Sequence, residues 1–444
     1  MDIKVSVILP SLNVAAYIRE CLDSVVSQTL QEIEIICVDA GSTDGTLEIL
    51  QEYKRRDSRV WLVHSEVRSY GKQVNEGLLR ARGKYIAIVD TDDYIAEEMY
   101  QELYVIAEEH HLDYVKGDFD TFYTLKGGGR VRESKKTFSL GVSLYGKILA
   151  PYDHLDIYGE DYSIWKGIYR KSFLDQYRIR LNESPGAAFQ DAGFLLQTLC
   201  LAQRAMYVEK SFYRYRLNRE GASTYQKTVV QFIFQEYDRL LDEGIFSAEM
   251  DVRIWKHLYF KLALSFQVEY DKVLRAEQYR IESPYLWDYY LWFQKKIQDA
   301  MEEGRLTFAD FTKYHRFEIQ LLLKSAQSYA DYRYVTDCLM KEPVEQLMKR
   351  IGSEPVVIFG CGKYGKELCV TLDTQGAKIA AFCDNNAMLW ETEYGGIKIL
   401  NPAKCCKKYK DAIYLVASRF YGEEIQVQLT HLGIKDKNII KCSL

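Results

Sequence analysis

Two carboxylates that directly follow an apolar run are the residues of this sequence best suited to binding a metal ion. Asp90 and Asp92 follow the run 85–89 (YIAIV), which is typical of a buried strand. If the chain remains extended there, both side chains point the same way and repel each other by about 4 kcal/mol at ~4 Å. A divalent ion such as Mg²⁺ or Mn²⁺ reverses that repulsion. The pattern predicts a metal site, with a turn and helix cap as the alternative.

The elements that must position these carboxylates alternate apolar strands with amphipathic helices. Strands are predicted at 4–9, 33–38, 60–64 and 85–89, and helices at 15–27, from residue 46, and at 72–81. This alternation predicts a parallel sheet covered on both faces, with the ligand at the carboxyl ends of the strands. Pro10 and Asn13 follow the first strand and Asp39 follows the second. Asp39 is a lone carboxylate suited to accepting a hydrogen bond from a base N–H.

Composition narrows the class of protein. A chain of 444 residues is too long for one ordinary core, so two or three domains are expected. The formal net charge of −5 argues against a dedicated nucleic-acid binder, and no apolar run approaches the ~20 residues of a membrane span. The 10 cysteines include no C-x-x-C pair, which argues against structural zinc and favours reduced core thiols. We therefore expect a cytoplasmic protein.

The later part of the chain changes character twice. Residues 229–350 are helical and aromatic, and the cluster 285–293 (YLWDYYLWF) is predicted to serve in helix packing or as a dimer surface. A βαβ pattern begins at residue 354, where Gly360, Gly362 and Gly365 follow a strand and open a helix. With Asp384 about 20 residues further on, these glycines predict a second nucleotide site. A packing or oligomerisation role is the alternative.

Several segments together resemble glycosyltransferase family 2, the inverting family with the GT-A fold. They are 5–13 (VSVILPSLN), 17–30, 33–50 (IEIICVDAGSTDGTLEIL) and 83–95 (GKYIAIVDTDDYI), the last of which carries the family's D-x-D. Segments 165–174, 189–194 and 213–224 continue the resemblance, so it covers residues 3–225. In the E-D motif Gln190 replaces the usual Glu. Before the fourth strand Val74 stands where the family commonly has Arg, so a diphosphate or base contact falls to Lys72 or elsewhere.

The resemblance implies an enzyme that moves a sugar from a nucleotide-sugar, with UDP expected, to an acceptor hydroxyl. Asp90 and Asp92 would hold Mn²⁺ or Mg²⁺, Asp93 would support the sugar or the metal shell, and Asp191 would be the general base. A helix cap is the alternative for Asp191. The remaining residues expected to bind the nucleotide-sugar are Pro10, Asn13, Asp39, Lys72, Asn75 and Thr91.

The expected architecture is therefore α/β in three parts. A GT-A domain spans 1–228, a helical connecting region spans 229–350, and a small domain at 351–444 resembles the Rossmann-like domains beside sugar-modifying enzymes. The acceptor is expected to be a saccharide or a lipid-linked precursor of a cell-surface polysaccharide or glycolipid, which allows peripheral association with the inner membrane face. The alternatives are a non-catalytic nucleotide-sugar binding or scaffold protein, and an NAD-dependent enzyme built on the C-terminal domain.

Overall fold

The computed structural model describes residues 2–125, 129–138, 143–217, 229–242, 245–246, 250–283, 286–334, 344–418 and 421–442. The chain divides into two compact units. The first contains residues 1–121 and 133–330, and the second contains residues 122–132 and 331–444. The sequence pattern assigns the helices after residue 228 to a region of their own, whereas the structure groups those up to residue 330 with the first sheet.

The first unit begins with the parallel strands that the sequence predicts. In chain order they and their helices are β1 (Val5–Ser11), α1 (Ile18–Val26), β2 (Ile33–Asp39), α2 (Thr46–Arg56), β3 (Val60–His64), α3 (Tyr70–Arg80) and β4 (Tyr85–Ile88). β1 lies between β2 and β4 and is parallel to both, and β3 is parallel to β2. All residues of β1, β2 and β4 are buried, as expected for strands covered on both faces.

Antiparallel strands extend this sheet beyond β4. The elements are β5 (Tyr94–Ile95), α4 (Met99–Glu109), β6 (Tyr114–Thr124), β7 (Arg130–Lys135), α5 (Leu155–Glu160), β8 (Gly167–Arg170), α6 (Lys171–Gln176), α7 (Gln190–Leu201) and β9 (Ala205–Arg216). The strand order is β3-β2-β1-β4-β8-β6-β9-β5, with β7 beside β6. β9 pairs with β5, which brings the end of β9 next to the acidic residues that follow β4.

Among the described residues, five α-helices begin between β9 and residue 330, where the first unit ends, and the last of them extends beyond it. They are α8 (Val229–Asp242), α9 (Val252–Ala276), α10 (Trp287–Glu302), α11 (Lys313–Lys324) and α12 (Ala326–Tyr334). Two aromatic side chains of α10 pack inward, since Phe293 stacks on Phe266 of α9 with ring centroids 4.1 Å apart and Tyr290 is buried. Helix packing, one of the two roles predicted for this cluster, therefore accounts for Phe293 and Tyr290. No helix in the described ranges is long and apolar enough to cross a membrane.

The second unit contains a smaller, mostly parallel sheet. Its elements are α13 (Val344–Ile351), β10 (Val356–Phe359), α14 (Lys363–Thr374), β11 (Ile379–Cys383), β12 (Glu393–Tyr394), β13 (Ile397–Leu400), α15 (Pro402–Lys408), β14 (Ile413–Val416), α16 (Gly422–His431) and β15 (Ile439–Lys441). The strand order is β12-β13-β11-β10-β14-β15. Alternate residues of β10 enter different apolar clusters, so both faces of this sheet are covered.

Candidate active site

The acidic residues after β4 form a turn. The Asp93 backbone N–H donates to the Asp90 carbonyl oxygen at 3.0 Å, which closes a four-residue turn. The extended conformation considered from the sequence is therefore not adopted, so strand alternation does not orient Asp90 and Asp92. Both residues nevertheless line one pocket, while Asp93 is buried.

Asp93 fixes this turn to β9. Its Oδ2 accepts from the Tyr213 hydroxyl at 2.9 Å, and its Oδ1 accepts from the Arg216 backbone N–H at 2.7 Å. The Tyr213 hydroxyl in turn accepts from the Asp90 N–H at 3.1 Å. Burial, followed by the charges of Asp92 and Asp90, raises the pKa of Asp93 well above its usual range. Asp93 thus positions the turn, and the contact with sugar or metal predicted for it stays a prediction.

The pocket has a volume of about 460 Å³ and lies at the carboxyl ends of β1 and β4. The predicted residues that line it are Pro10, Asp90, Thr91, Asp92 and Asp191. Trp165, from one of the segments that continue the family resemblance, lines it too. The Trp165 ring stacks on Tyr213 and Tyr215, with centroids 4.1 Å and 5.3 Å away, so this wall is rigid and aromatic.

Hydrogen bonds hold the acidic side of the pocket in place. The Thr91 hydroxyl donates to the Pro10 carbonyl at 2.9 Å, which ties the turn to β1. The Tyr70 hydroxyl, at the start of α3, donates to Asp90 Oδ1 at 2.9 Å. Burial, and then the charges of Asp90 and Asp191, raises the pKa of Tyr70, so this phenol remains a donor at neutral pH. Contacts from β1, β9 and α3 therefore set the orientation of Asp90.

Asp90 and Asp92 fit a divalent cation that is shared with a bound substrate. Burial and the charges of Asp93, Asp90 and Asp92 raise the pKa of the nearby Tyr215, which indicates a negative electrostatic potential in this part of the pocket. Within the described ranges, no group of three His, Cys, Asp or Glu side chains is arranged to hold a metal alone. Mg²⁺ is commonly bound by one or two carboxylates together with substrate phosphates, which is the arrangement this pair allows.

Asp191 enters the same pocket from α7. The residue before this helix, Phe189, has φ of +63°, a conformation that costs about 1–3 kcal/mol in a non-glycine residue and often marks functional sites. Asp191 is the second residue of the helix, and its Oδ1 accepts from the Ala192 N–H at 2.9 Å. It does not occupy the N-cap position, which Phe189 holds without a side-chain bond. Burial raises the pKa of Asp191, although the Ala192 N–H and the charge of Lys261 oppose the shift.

Gln190 has a structural task that an amide performs well. Its Oε1 accepts from the Gly71 N–H at 2.9 Å, and its Nε2 donates to the carbonyl and hydroxyl oxygens of Ser184. An amide supplies the acceptor and the donors that these three contacts require, whereas an ionised Glu would supply acceptors alone. Replacement of the family's usual Glu by Gln190 therefore leaves the start of α7 well anchored, with Asp191 as the carboxylate beside it.

Asn13 and Asp39 belong to a neighbouring cluster of loops and do not line the pocket. Asp39 is buried, and it accepts from the N–H groups of Gly41 and Ser42 and from the Ser42 hydroxyl. Asn13 Oδ1 accepts from the Thr43 N–H at 2.9 Å, and its own N–H donates to Ser42 Oγ. These bonds join the loops after β1 and β2. Base recognition by Asp39 stays a prediction.

Lys72 and Asn75 lie on α3, away from the pocket lining. Lys72 pairs with Glu183 at 3.0 Å, and this hydrogen-bonded partner raises the pKa of the lysine. Asn75 exchanges two hydrogen bonds with the backbone of Leu181 and donates a further bond to Glu183. Both side chains thus hold the segment around residue 182 against α3. The nucleotide contacts predicted for them stay predictions.

Helix α9 supplies a wall of the pocket that the sequence did not reveal. Lys261, Ser265, Glu269 and Lys272 all line it. Their intervals of four, four and three residues place them on one face of a helix whose other positions are mostly apolar. A polar stripe along one face of an aromatic helix is the signal that would have found them. The periodicity defines this face, but it does not say which pocket the face meets.

Lys261 connects this wall to a buried cluster of charges. Its Nζ donates to the Asp161 carbonyl at 3.3 Å, while the Asp161 carboxylate pairs with Lys116 at 2.7 Å and with Lys166 at 3.1 Å. Burial lowers the pKa of Lys261 to about 8, although Asp161 and Asp191 oppose that shift. The two lysines together hold the pKa of Asp161 far below its usual range despite its burial. This cluster supports the pocket from behind Lys261.

In the second unit the glycine turn forms as predicted. Gly360 has φ of +103°, and a Cβ on Gly365 would lie 1.8 Å from the Gly360 carbonyl oxygen, so close packing excludes a side chain there. A Cβ on Gly362 would meet no atom within 4 Å. Asp384 accepts from the N–H groups of Cys361 and Asn386, at 2.6 Å and 2.8 Å, and so stabilises the turn itself. Nucleotide binding at this turn stays a prediction.

Comparison with known proteins identifies the class of the N-terminal domain. Residues 6–164 match the model of the family described as Glycosyl transferase family 2, and residues 352–440 match a family described as C2185-like, N-terminal. The N-terminal part of the chain is therefore a family 2 glycosyltransferase domain of the GT-A fold.

Individual relatives show the same likeness. The chain is 31% identical over 238 residues to glycosyltransferase GlyA of Streptococcus pneumoniae (50% of this chain, 32% of GlyA). It is 31% identical over 214 residues to the uncharacterized glycosyltransferase EpsJ of Bacillus subtilis (48% of this chain, 61% of EpsJ). It thus spans less than two thirds of either. The crystal structure of residues 1–349 of TarS from S. aureus, in complex with UDP-GlcNAc, superposes with a TM-score of 0.58 at 22% identity, covering 75% of this chain and 91% of that one.

Proposed function

We propose that the first unit is a metal-dependent, inverting glycosyltransferase that moves a sugar from a UDP-sugar to a hydroxyl of a growing saccharide. The observation that carries this proposal is the meeting of Asp90, Asp92 and Asp191 in one pocket at the carboxyl ends of parallel strands. Asp90 and Asp92 would hold the divalent ion, which when bound neutralises the diphosphate and makes it a better leaving group.

Asp191 has the position and chemistry of the general base. Its carboxylate lines the pocket, and burial raises its pKa, which makes it a stronger base than an exposed aspartate. In the proposed reaction Asp191 accepts the proton of the acceptor hydroxyl, and that oxygen forms a bond to the anomeric carbon. The bond from this carbon to the diphosphate oxygen breaks, and the nucleoside diphosphate leaves with the electron pair. A single displacement of this kind inverts the anomeric configuration.

The proposal of a UDP-sugar as donor rests on structural similarity to TarS. The TarS structure that superposes on this chain contains UDP-GlcNAc, and a second structure of the same protein contains UDP. The aromatic wall formed by Trp165 and Tyr215 supports a sugar substrate, because aromatic faces pack well against the apolar faces of sugar rings. The sugar and the linkage formed are decided by pocket contacts that differ among family members.

Calorimetric titration of UDP into the purified chain, with and without Mn²⁺, tests the proposal. We expect binding that requires Mn²⁺ and is lost in Asp92→Ala. Asp156→Ala is the matched control, because Asp156 is an exposed aspartate in the first turn of α5 and lies outside the pocket. Loss of the metal-dependent heat in Asp92→Ala alone supports a donor site at the turn. Absence of binding by the parent chain under both conditions, or equal binding by Asp92→Ala, would refute this function.

A further inference from the structure

The polar face of α9 contains a buried group whose partner is missing. The Glu269 side chain is 8% exposed and lines the pocket. Its Oε1 pairs with Lys272 Nζ at 2.5 Å, whereas its Oε2 is buried and has no hydrogen-bond partner among the described residues. A buried carboxylate oxygen without a donor is costly, so native proteins rarely leave one unpaired. At a pocket wall, the donor that completes such a group is most simply a bound ligand.

The chemistry of this oxygen selects among ligands. An ionised carboxylate accepts hydrogen bonds and donates none, so it recognises hydroxyl or N–H groups. A phosphate or carboxylate oxygen at the same place would set one acceptor against another, because Oε2 has no hydrogen to donate. The group that fits is a neutral polyol, such as a saccharide carrying several hydroxyls.

The helix that carries Glu269 lies beside the proposed general base. Helix α9 packs against α7, which supplies Asp191, the residue proposed to receive the acceptor proton. Lys261, two turns before Glu269 on the same face, is close enough to Asp191 for the two charges to affect each other's pKa. The residues proposed to bind the metal and diphosphate lie instead on the turn after β4.

Resting on the function proposed above, we propose that Glu269 accepts a hydrogen bond from a hydroxyl of a neutral polyhydroxy acceptor, and that the α9 face forms the acceptor subsite. Glu269 is then a specificity-determining residue. A hydrogen bond to a charged group contributes about ten- to a hundredfold in binding, and this is the expected change in the apparent KM for the acceptor.

Donor hydrolysis and sugar transfer, measured side by side, test this inference. The parent chain is screened for hydrolysis of UDP-glucose, UDP-galactose and UDP-GlcNAc, which uses water as acceptor and does not need the α9 face. With the donor that is hydrolysed, transfer is measured to a panel of ribitol and the methyl glycosides of glucose, galactose and N-acetylglucosamine. Glu269→Gln keeps the shape of the side chain, and Glu277→Gln, at the end of the same helix and outside the pocket lining, is the control.

We expect Glu269→Gln to raise the apparent KM of the best acceptor about ten- to a hundredfold while donor hydrolysis and the melting temperature stay near the parent values. Glu277→Gln should match the parent in all three. An unchanged acceptor KM in Glu269→Gln overturns the inference, as does a parent chain that hydrolyses a donor but transfers to no member of the panel. A parent chain that neither binds UDP nor hydrolyses any donor refutes the proposed function, and this inference with it.

Discussion

Replacing Asp191 with asparagine removes the proposed base and leaves the shape of the site nearly unchanged. Asparagine retains an oxygen that can accept from the Ala192 N–H, so the first turn of α7 is preserved. General-base catalysis typically contributes ~10²–10⁴-fold, which corresponds to about 3–5 kcal/mol in the activation barrier. We therefore expect Asp191→Asn to lower the transfer rate by this factor while UDP binding in the presence of Mn²⁺ is kept.

The raised pKa of Asp191 adds a pH signature to this prediction. A general base must be ionised, so the parent rate should fall as the pH drops through a value above the ordinary aspartate pKa of ~3.9. The contribution of Asp191 to the stability of the fold changes with pH in the opposite direction to the rate. A carboxyl group with a raised folded pKa stabilises the fold below its unfolded pKa, and that contribution is lost as the pH rises through the folded pKa. Asp191→Asn should therefore melt at a higher temperature than the parent at pH 7.

Three measurements test these predictions for Asp191→Asn: the transfer rate as a function of pH, UDP binding by calorimetry, and the melting temperature at pH 7. Asp156→Asn is the control, since Asp156 also lies in the first turn of a helix but is exposed and outside the pocket. A transfer rate for Asp191→Asn within about threefold of the parent would refute the assignment of the base. Loss of UDP binding would show instead that the variant disturbs the donor site.

Two further predictions concern stability. Lys116→Met leaves the fully buried Asp161 without its closest cation, and breaking a buried pair in this way is expected to lower the free energy of unfolding by about 3–5 kcal/mol in urea denaturation; an unchanged midpoint would contradict it. Gly365→Ala forces a Cβ against the Gly360 carbonyl and should lower the melting temperature of the second unit, as overpacking typically costs about 1–3 kcal/mol, whereas Gly362→Ala meets open space and should not; equal effects of the two changes would refute this reading of the turn.

The sequence predicts the part of the fold whose signals are local. Apolar runs bounded by turn residues locate β1 to β4 within one or two residues, and the runs of β1, β2 and β4 are buried on both faces. Pro10, Asp90, Thr91 and Asp92 follow from the rule that ligands bind at the carboxyl ends of parallel strands. Asp191 follows from family resemblance, because its position in the pocket depends on how α7 packs.

The hydrogen-bond partners of several predicted site residues depend on long-range packing. Nothing near Lys72 or Asn75 indicates that the segment at 181–183 binds their side chains, more than 100 residues later in the chain. Asp93 shares the composition of its neighbours Asp90 and Asp92, and only the approach of β9 separates its role from theirs. Likewise, the polar stripe of α9 shows a helix face, but which surface that face meets is set by tertiary packing.

The bond between Tyr213 and Asp93 also bears on how the site is acquired during folding. Its partners are 120 residues apart, and the Asp90–Asp93 turn depends on that hydroxyl at two points. Contacts of such high sequence separation form late, because the entropy of closing a long loop must be overcome first. A chain emerging from the ribosome would thus complete β1 to β4 well before the turn is fixed. Donor binding would therefore report the docking of β9 against the turn.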